Sequence, residues 1–372
     1  MVKYDALIVG AGLSGTTAAR VLAENGSRVL LLEKRTHIGG NAYDCLNNYG
    51  ILIQKYGPHI FHTNSKRVYD FLSRFTQWRN YEHRVAAMVD EMYIPVPFNF
   101  TSLFMTFGKE DGAKIAQKLT TAYPGRESVT VFELLAHQES DIRKIAEYVY
   151  KTIFEKYTRK QWGKYSEDVL SVTARVPVVL SHDDRYFHDR YQGIPLYGFT
   201  NMIGNMLEHE NIDVSLGHTA TADIVLNFSG TVIYTGALDE LFNFEFGALP
   251  YRTLDFEFET LPVSQFQPYA TVNYTQSEDF TRITEFRHLT GQSAEITTIL
   301  KEYPRDAKKG DIPCYSVNNA AIDALYGKYL AAAQKFPNLH LLGRLAEYKY
   351  YNMDAVCERA LLLGGRLIGV KD

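Results

Sequence analysis

Two short apolar runs near the start of the chain, Ala6-Leu7-Ile8-Val9 and Val29-Leu30-Leu31-Leu32, have strand length. Between them the spacing predicts a helix over 16–25, with Ala18, Ala19, Val21, Leu22 and Ala23 on its apolar side and Gly26 as its stop. Similar runs return over 231–237 and 339–344, both broken by glycine, and a helix over 352–363 follows the second. A sheet assembled from distant pieces of chain accounts for this pattern. In the middle of the chain the period is helical over 113–121, 129–137 and 141–156, with a break at Pro124-Gly125, and another helix follows Thr200-Asn201. The period then changes to two. Leu254, Phe256 and Phe258 alternate with polar residues, and strands are predicted near 269–274, 281–286 and 294–301, joined by turns around Asp279 and Gly291.

The first turn carries chemistry. Gly10-Ala11-Gly12-Leu13-Ser14-Gly15 lies between the first strand and the helix, and Glu33 closes the second strand. Gly10 permits the tight turn, a side chain at Gly12 would obstruct a pyrophosphate, and Gly15 lets helix and sheet approach. The first helical N–H groups face the phosphates, and Glu33 is placed to accept from a ribose hydroxyl. A second glycine-rich segment, Lys34-Arg35-Thr36-His37-Ile38-Gly39-Gly40-Asn41, resembles the pattern of FAD enzymes related to amine oxidases. That resemblance favours FAD over a nicotinamide dinucleotide.

Composition narrows the partners. Net charge is −4, which gives no support to general nucleic-acid binding. No apolar run is long enough to cross a bilayer and no signal-peptide layout opens the chain, so the cytoplasm is the expected location. Cys45, Cys314 and Cys357 are widely spaced and read as unpaired thiols. His59 and His62 lack a completing ligand set, so no metal is expected. The 26 tyrosines suit both packed cores and a polar-lined cleft.

Several longer motifs occur in order: Tyr56-Gly57-Pro58-His59-Ile60-Phe61-His62-Thr63, Pro97-Phe98-Asn99, Tyr157-Thr158-Arg159-Lys160-Gln161-Trp162-Gly163, Thr281-Arg282-Ile283 and Gly343-Arg344-Leu345. With the glycine loops, they make nearly the whole chain resemble the prokaryotic UDP-galactopyranose mutases. The expected fold is α/β. It comprises a discontinuous Rossmann-like FAD-binding domain over 1–80, 186–247 and 316–372, and a helical substrate lid over 100–165. An antiparallel β-sheet domain and its connections occupy 81–99, 166–185 and 248–315.

The resemblance implies isomerisation of UDP-galactopyranose and UDP-galactofuranose for cell-surface glycan precursors, with no net oxidation. In the family, reduced flavin N5 attacks the anomeric carbon, UDP leaves, and the sugar ring reopens and recloses from the flavin–sugar adduct. An external reductant such as NAD(P)H or a reducing partner is then required, and a homodimer is expected. Arg175 and Arg282 match arginines at the diphosphate. Tyr186, Tyr315 and Tyr350 match tyrosines near diphosphate and sugar, while Phe154, Tyr157 and Trp162 belong to the nucleotide and sugar side. His59, Ile60 and His62 match a loop beside the flavin, and neither histidine has an evident carboxylate partner in the sequence. Arg344 matches an arginine near flavin and substrate. The cofactor set implied is Gly10, Gly12, Leu13, Ser14, Gly15, Glu33, Lys34, Arg35, Gly40, Asn41, His59, Ile60, Gly343, Arg344, Tyr350, Asn352 and Met353. In this set the start of the last helix faces the flavin ring.

Departures from the family pattern bear on the substrate. Asn352 stands where the pattern has an aspartate, Val179 where it has a second arginine, and Pro58 where glycine or alanine precedes the histidine. The pattern Asn-Arg-Phe-Thr-Asn is replaced near Asn80-Tyr81-Glu82-His83-Arg84. Alternatives left open are a mutase for another nucleotide-linked sugar, galactose-like or deoxy, a conventional FAD-dependent oxidoreductase, and an inactive nucleotide-sugar-binding protein.

Overall fold

A computed structural model describes residues 3–166 and 177–369. The chain divides into two compact units. Met1–Tyr81, Asp189–Tyr251 and Ala307–Asp372 form one; Glu82–His188 and Arg252–Asp306 form the other.

In the first unit a parallel sheet runs in the order Ile212–Leu216, Val29–Glu33, Ala6–Val9, Thr231–Tyr234, Leu339–Leu341. The period-two geometry of a strand explains why Ala6–Val9 is apolar throughout. Ala6 and Ile8 join a core with the helices Leu13–Glu24, Phe199–Leu207 and Met353–Leu367. Leu7 and Val232 belong to a separate core that includes Leu238, Leu241, Tyr329 and Tyr348. Because both faces are covered, alternation is absent from the sequence. The strand at Ile212–Leu216 was not anticipated there, since its edge position leaves Asp213 and Val214 exposed.

Two smaller elements support the loops of this unit. Phe61–Thr63, Tyr191–Pro195 and Trp78–Asn80 form an antiparallel sheet in which His62 lies opposite Gln192. The hairpin Asp44–Leu46/Leu52–Gln54 presents Asp44 to the start of the Phe199–Leu207 helix, where its carboxylate accepts from the Phe199 and Thr200 N–H groups at 2.6 and 2.9 Å.

The second unit joins parts that the sequence reading keeps separate. Its sheet runs Tyr251–Leu261, Thr297–Asp306, Arg282–Glu285, Thr271–Tyr274, Val85–Val89, Met92–Val96. The pairings are antiparallel except that of Thr271–Tyr274 with Val85–Val89, which is parallel. Val85, Ala87 and Ile94 share one core with Leu103 and Leu119, and with Ile142, Ile145 and Val149 of the Ser140–Val149 helix. A common core explains why these helices and the sheet form one unit. The predicted helix over 113–121 is the end of Phe100–Ala122, which breaks at Gly108. That over 129–137 is a strand, Ser128–Thr130, and a short helix, Val131–Leu135, started by a capping box between Thr130 and Glu133. The predicted helix over 141–156 continues through a π-helical turn, Tyr150–Glu155, into Lys156–Trp162. Among the described residues no helix is long and apolar enough to cross a membrane.

Candidate dinucleotide and substrate site

At the carboxyl ends of the parallel strands lies a cavity of about 390 Å³. That volume falls within the range of about 300–1,000 Å³ usual for ligand sites, at the place where open parallel sheets bind ligands. Of the expected cofactor residues, Gly10, Gly12, Leu13, Ser14, Glu33, Lys34, Arg35, Gly40, Asn41, His59, Arg344 and Met353 line it. Gly12 and Gly40 face each other. A Cβ on Gly40 would stand 2.9 Å from the Gly12 Cα, while one on Gly12 would meet nothing closer than 3.7 Å. Gly12 is therefore not required by packing within the protein, and a side chain there would project into space that a ligand can use. Gly15 serves the fold instead: its Cβ would lie 2.1 Å from the Gly10 carbonyl oxygen.

Glu33 is buried, and its carboxylate accepts the Ala11 N–H at 2.8 Å and the Arg35 N–H at 2.9 Å. These bonds fix the acid at the strand end with lone-pair capacity left over. Lys34 instead reaches Glu240, at 3.2 Å. The cavity also takes in Thr219, Ala220 and Thr221, in the segment after the Ile212–Leu216 strand, which the sequence reading missed. Gly217 was the available signal, a glycine ending a short apolar alternation like those recognised elsewhere.

His59 lines the cavity, and its Nδ1 lies 2.9 Å from the Gly57 carbonyl. Since a carbonyl only accepts, Nδ1 carries the proton. Gln54 holds the same loop by accepting the His59 N–H and donating to the His59 carbonyl. His62 does have a carboxylate partner, contrary to the sequence reading: Asp189 Oδ2 is 2.8 Å from Nδ1, and Asn64 donates to the other oxygen at 2.7 Å. Asp189 is remote in sequence, so local spacing carried no sign of it.

Arg344 donates through Nε to the Tyr351 carbonyl, and its guanidinium lies 4.5 Å from the Tyr350 ring centroid. Tyr350 is 60% exposed and stacks near Tyr315, with ring centroids 6.2 Å apart. Ile60, Gly343, Tyr350 and Asn352 are not among the residues lining the cavity. Asn352 caps the Met353–Leu367 helix by position only; its side chain makes no capping bond. Glu347, which the sequence reading did not single out, accepts from the Gly343 N–H at 2.8 Å and from Arg359 Nε at 3.0 Å, tying the Arg344 turn to that helix.

In the second unit, Arg282 Nε is 2.7 Å from the buried Glu302. Phe154 sits on the π-helical turn and packs on the core beneath it. Tyr157 and Trp162 are half-buried on the next helix. Arg252, another residue not anticipated, donates to the Gln161 carbonyl at 2.9 Å and pairs with Asp306, holding the end of the Trp162 helix. Tyr186 is 43% exposed, its ring edge-on to Phe187. Val179 is buried, and its N–H donates to the Phe98 carbonyl at 2.8 Å, so the position of the missing arginine is an apolar one here. Arg175 lies outside the described residues.

The description "UDP-galactopyranose mutase" belongs to a family model that matches residues 152–350, and a model for an NAD(P)-binding Rossmann-like domain matches residues 8–75. UDP-galactopyranose mutase of Mycoplasma pneumoniae is 34% identical, the alignment covering 98% of this chain and 96% of that protein. The chain belongs to the UDP-galactopyranose mutase family. As a member it is an enzyme of the mutase class, with a flavin-type cofactor. A dTDP-fucopyranose mutase of Escherichia coli is also 34% identical, over 95% of this chain and 96% of that protein. A crystal structure of reduced UDP-galactopyranose mutase superposes with a TM-score of 0.72 at 14% identity, covering 100% of this chain and 95% of the other, which shows a shared fold.

Proposed function

We propose that the protein interconverts the pyranose and furanose forms of a nucleotide-diphosphate-linked galactose, with UDP-galactose as the primary substrate and FAD, reduced for turnover, as the cofactor. The observation that carries this reading is the cavity walled by Gly12, Gly40, Glu33 and Arg35 in a chain of this family. The residues fit a flavin dinucleotide. Gly12 leaves room for a pyrophosphate, Gly40 lets the two glycine loops meet, the N-terminus of the Leu13–Glu24 helix offers N–H donors, and Glu33 can still accept from a ribose hydroxyl. Arg35 adds a buried Nη1 with no acceptor among the described residues.

Bound and reduced, the flavin supplies a nucleophilic nitrogen for the sugar's anomeric carbon. The protein then has to bind, orient and balance charge. The N-terminus of the Met353–Leu367 helix and the Arg344 guanidinium favour negative charge on the reduced ring. Arg282, and Arg175 by its motif, offset charge on the departing nucleoside diphosphate. Tyr315, Tyr350 and Tyr186 offer neutral hydroxyl donors to diphosphate and sugar. Phe154, Tyr157, Trp162 and Asn352 shape the nucleotide and sugar sides. His59 keeps its loop in place, and His62, whose Nδ1–H donates to Asp189, leaves Nε2, an acceptor in the neutral ring, for a substrate or flavin hydroxyl. The proposal extends to an external reductant such as NAD(P)H, a homodimer, and a cytoplasmic role in supplying cell-surface glycan precursors.

Equal identity to a dTDP-fucopyranose mutase favours one second reading, a deoxy-sugar nucleotide as substrate. Asn352 and Val179 point the same way, because two charged positions of the family pattern are neutral. The test is a panel of UDP- and dTDP-linked pyranoses and furanoses with dithionite-reduced protein, separating ring forms by chromatography. Conversion of UDP-galactofuranose to UDP-galactopyranose is expected. Turnover confined to dTDP-fucose would move the assignment to the second reading, and stoichiometric substrate oxidation would reject both.

A further inference from the structure

Arg35 is held from several sides. Its Nη2 donates to Asn41 Oδ1 at 2.9 Å, and its guanidinium carbon lies 4.6 Å from the centroid of the Tyr56 ring. Its Nη1 is buried without an acceptor among the described residues, although the side chain lines the cavity. A buried cationic N–H left unpaired is unfavourable, so the arrangement is complete only when a ligand supplies an oxygen. Tyr56 is itself tethered. Its hydroxyl is 2.8 Å from His37 Nε2, and His37 Nδ1 is 2.9 Å from the Ile38 carbonyl. The carbonyl only accepts, so Nδ1 carries a proton and, in neutral His37, Nε2 accepts the Tyr56 hydroxyl hydrogen. His37 in turn stacks on Tyr43, with ring centroids 3.7 Å apart. The backbone closes the unit: the Gly39 N–H donates to the Ala11 carbonyl at 2.9 Å, tying this turn to the first glycine loop.

We infer that Tyr56, fixed by His37 on Tyr43, is a positioning residue that holds Arg35 ready for an anionic oxygen of the bound dinucleotide. The inference rests on the FAD reading above. An unsupported arginine would lose side-chain freedom on binding; here the aromatic support removes that freedom beforehand. The attraction between guanidinium and ring also keeps the charge in place without an acidic partner that would compete with phosphate.

The test is FAD binding, not turnover. Flavin is stripped from the full-length protein, and the apoprotein is titrated with FAD by flavin fluorescence. Variants are Tyr56→Leu, Tyr56→Phe, His37→Leu, Arg35→Met and the double variant Arg35→Met/Tyr56→Leu. Tyr56→Leu should weaken FAD binding about three- to tenfold. Tyr56→Phe, which keeps the ring, should retain most of the affinity. In the Arg35→Met background the Tyr56→Leu change should cost nothing further, because its effect runs through Arg35. If Tyr56→Leu does not fold, His37→Leu reads the same coupling, with a smaller loss expected. Unchanged affinity in Tyr56→Leu, or an equal loss with and without Arg35, overturns the role of Tyr56 while FAD binding stands. A wild-type protein that takes up no FAD overturns both readings together.

Discussion

The Arg282 guanidinium meets the Glu302 carboxylate at 2.7 Å, and that carboxylate has no solvent exposure. The pair gives Arg282 a structural duty, to which the proposed function adds a second, charge for the substrate's diphosphate. Arg282→Ala should lower stability by about 3–5 kcal/mol, the cost of breaking a buried pair from one side, as well as weakening substrate binding. Adding Glu302→Gln should recover part of the stability and none of the substrate affinity. Urea unfolding and ligand titration on the same preparations separate the two effects.

Gly12 provides a cleaner separation of fold from cofactor. Its chain neighbours aside, a Cβ there meets no atom of the described residues closer than 3.7 Å, so Gly12→Ala should fold and melt like the wild-type apoprotein. Its affinity for FAD should fall at least about tenfold, because the methyl group occupies the approach to the pyrophosphate. Thermal unfolding of the apoprotein with a parallel FAD titration checks both halves.

Acid stability should report on Asp183. The Arg185 guanidinium, whose Nε donates at 3.0 Å, holds the Asp183 carboxyl down to about 2, well below the ordinary value of about 3.9. A depressed folded-state value means stabilisation that is complete above the unfolded value and lost as pH falls through the folded one. Asp183→Asn should therefore be less stable than wild type at pH 6, with the gap closing between about pH 4 and pH 2. Denaturant titrations across that range make the comparison.

Burial pushes the Cys357 thiol up to about 12, whereas Cys45 and Cys314 are only half-buried. A thiol reagent at pH 8 should leave Cys357 unlabelled in the native protein and label it only after denaturation. Peptide mapping by mass spectrometry reads this directly. Rapid native labelling of Cys357 would contradict the packing of the Met353–Leu367 helix against Thr17 of the Leu13–Glu24 helix.

What could be read before the structure was what short-range chemistry imposes. Gly10, Gly12, Gly15 and Glu33 act through one turn and two adjacent strands, so their spacing is the motif. Strands buried on both faces were found by their apolar runs, whereas the edge strand Ile212–Leu216 was missed because half of it meets solvent. The partners of the site residues were hidden for a different reason. Asp189 reaches His62, and Glu302 reaches Arg282, through sheet pairings between separated segments. Spacing along one chain does not encode such registers. The helices of the second unit and its mixed sheet share a core for the same kind of reason, with Val85 and Ile145 buried in one cluster.

The most direct test of the central claim compares one preparation in two redox states. FAD-loaded protein is incubated with UDP-galactofuranose, first oxidised under air and then reduced anaerobically with dithionite, and the pyranose product is quantified. The account predicts turnover only in the reduced state, with no net oxidation of the sugar. Equal turnover with the flavin held oxidised would contradict it.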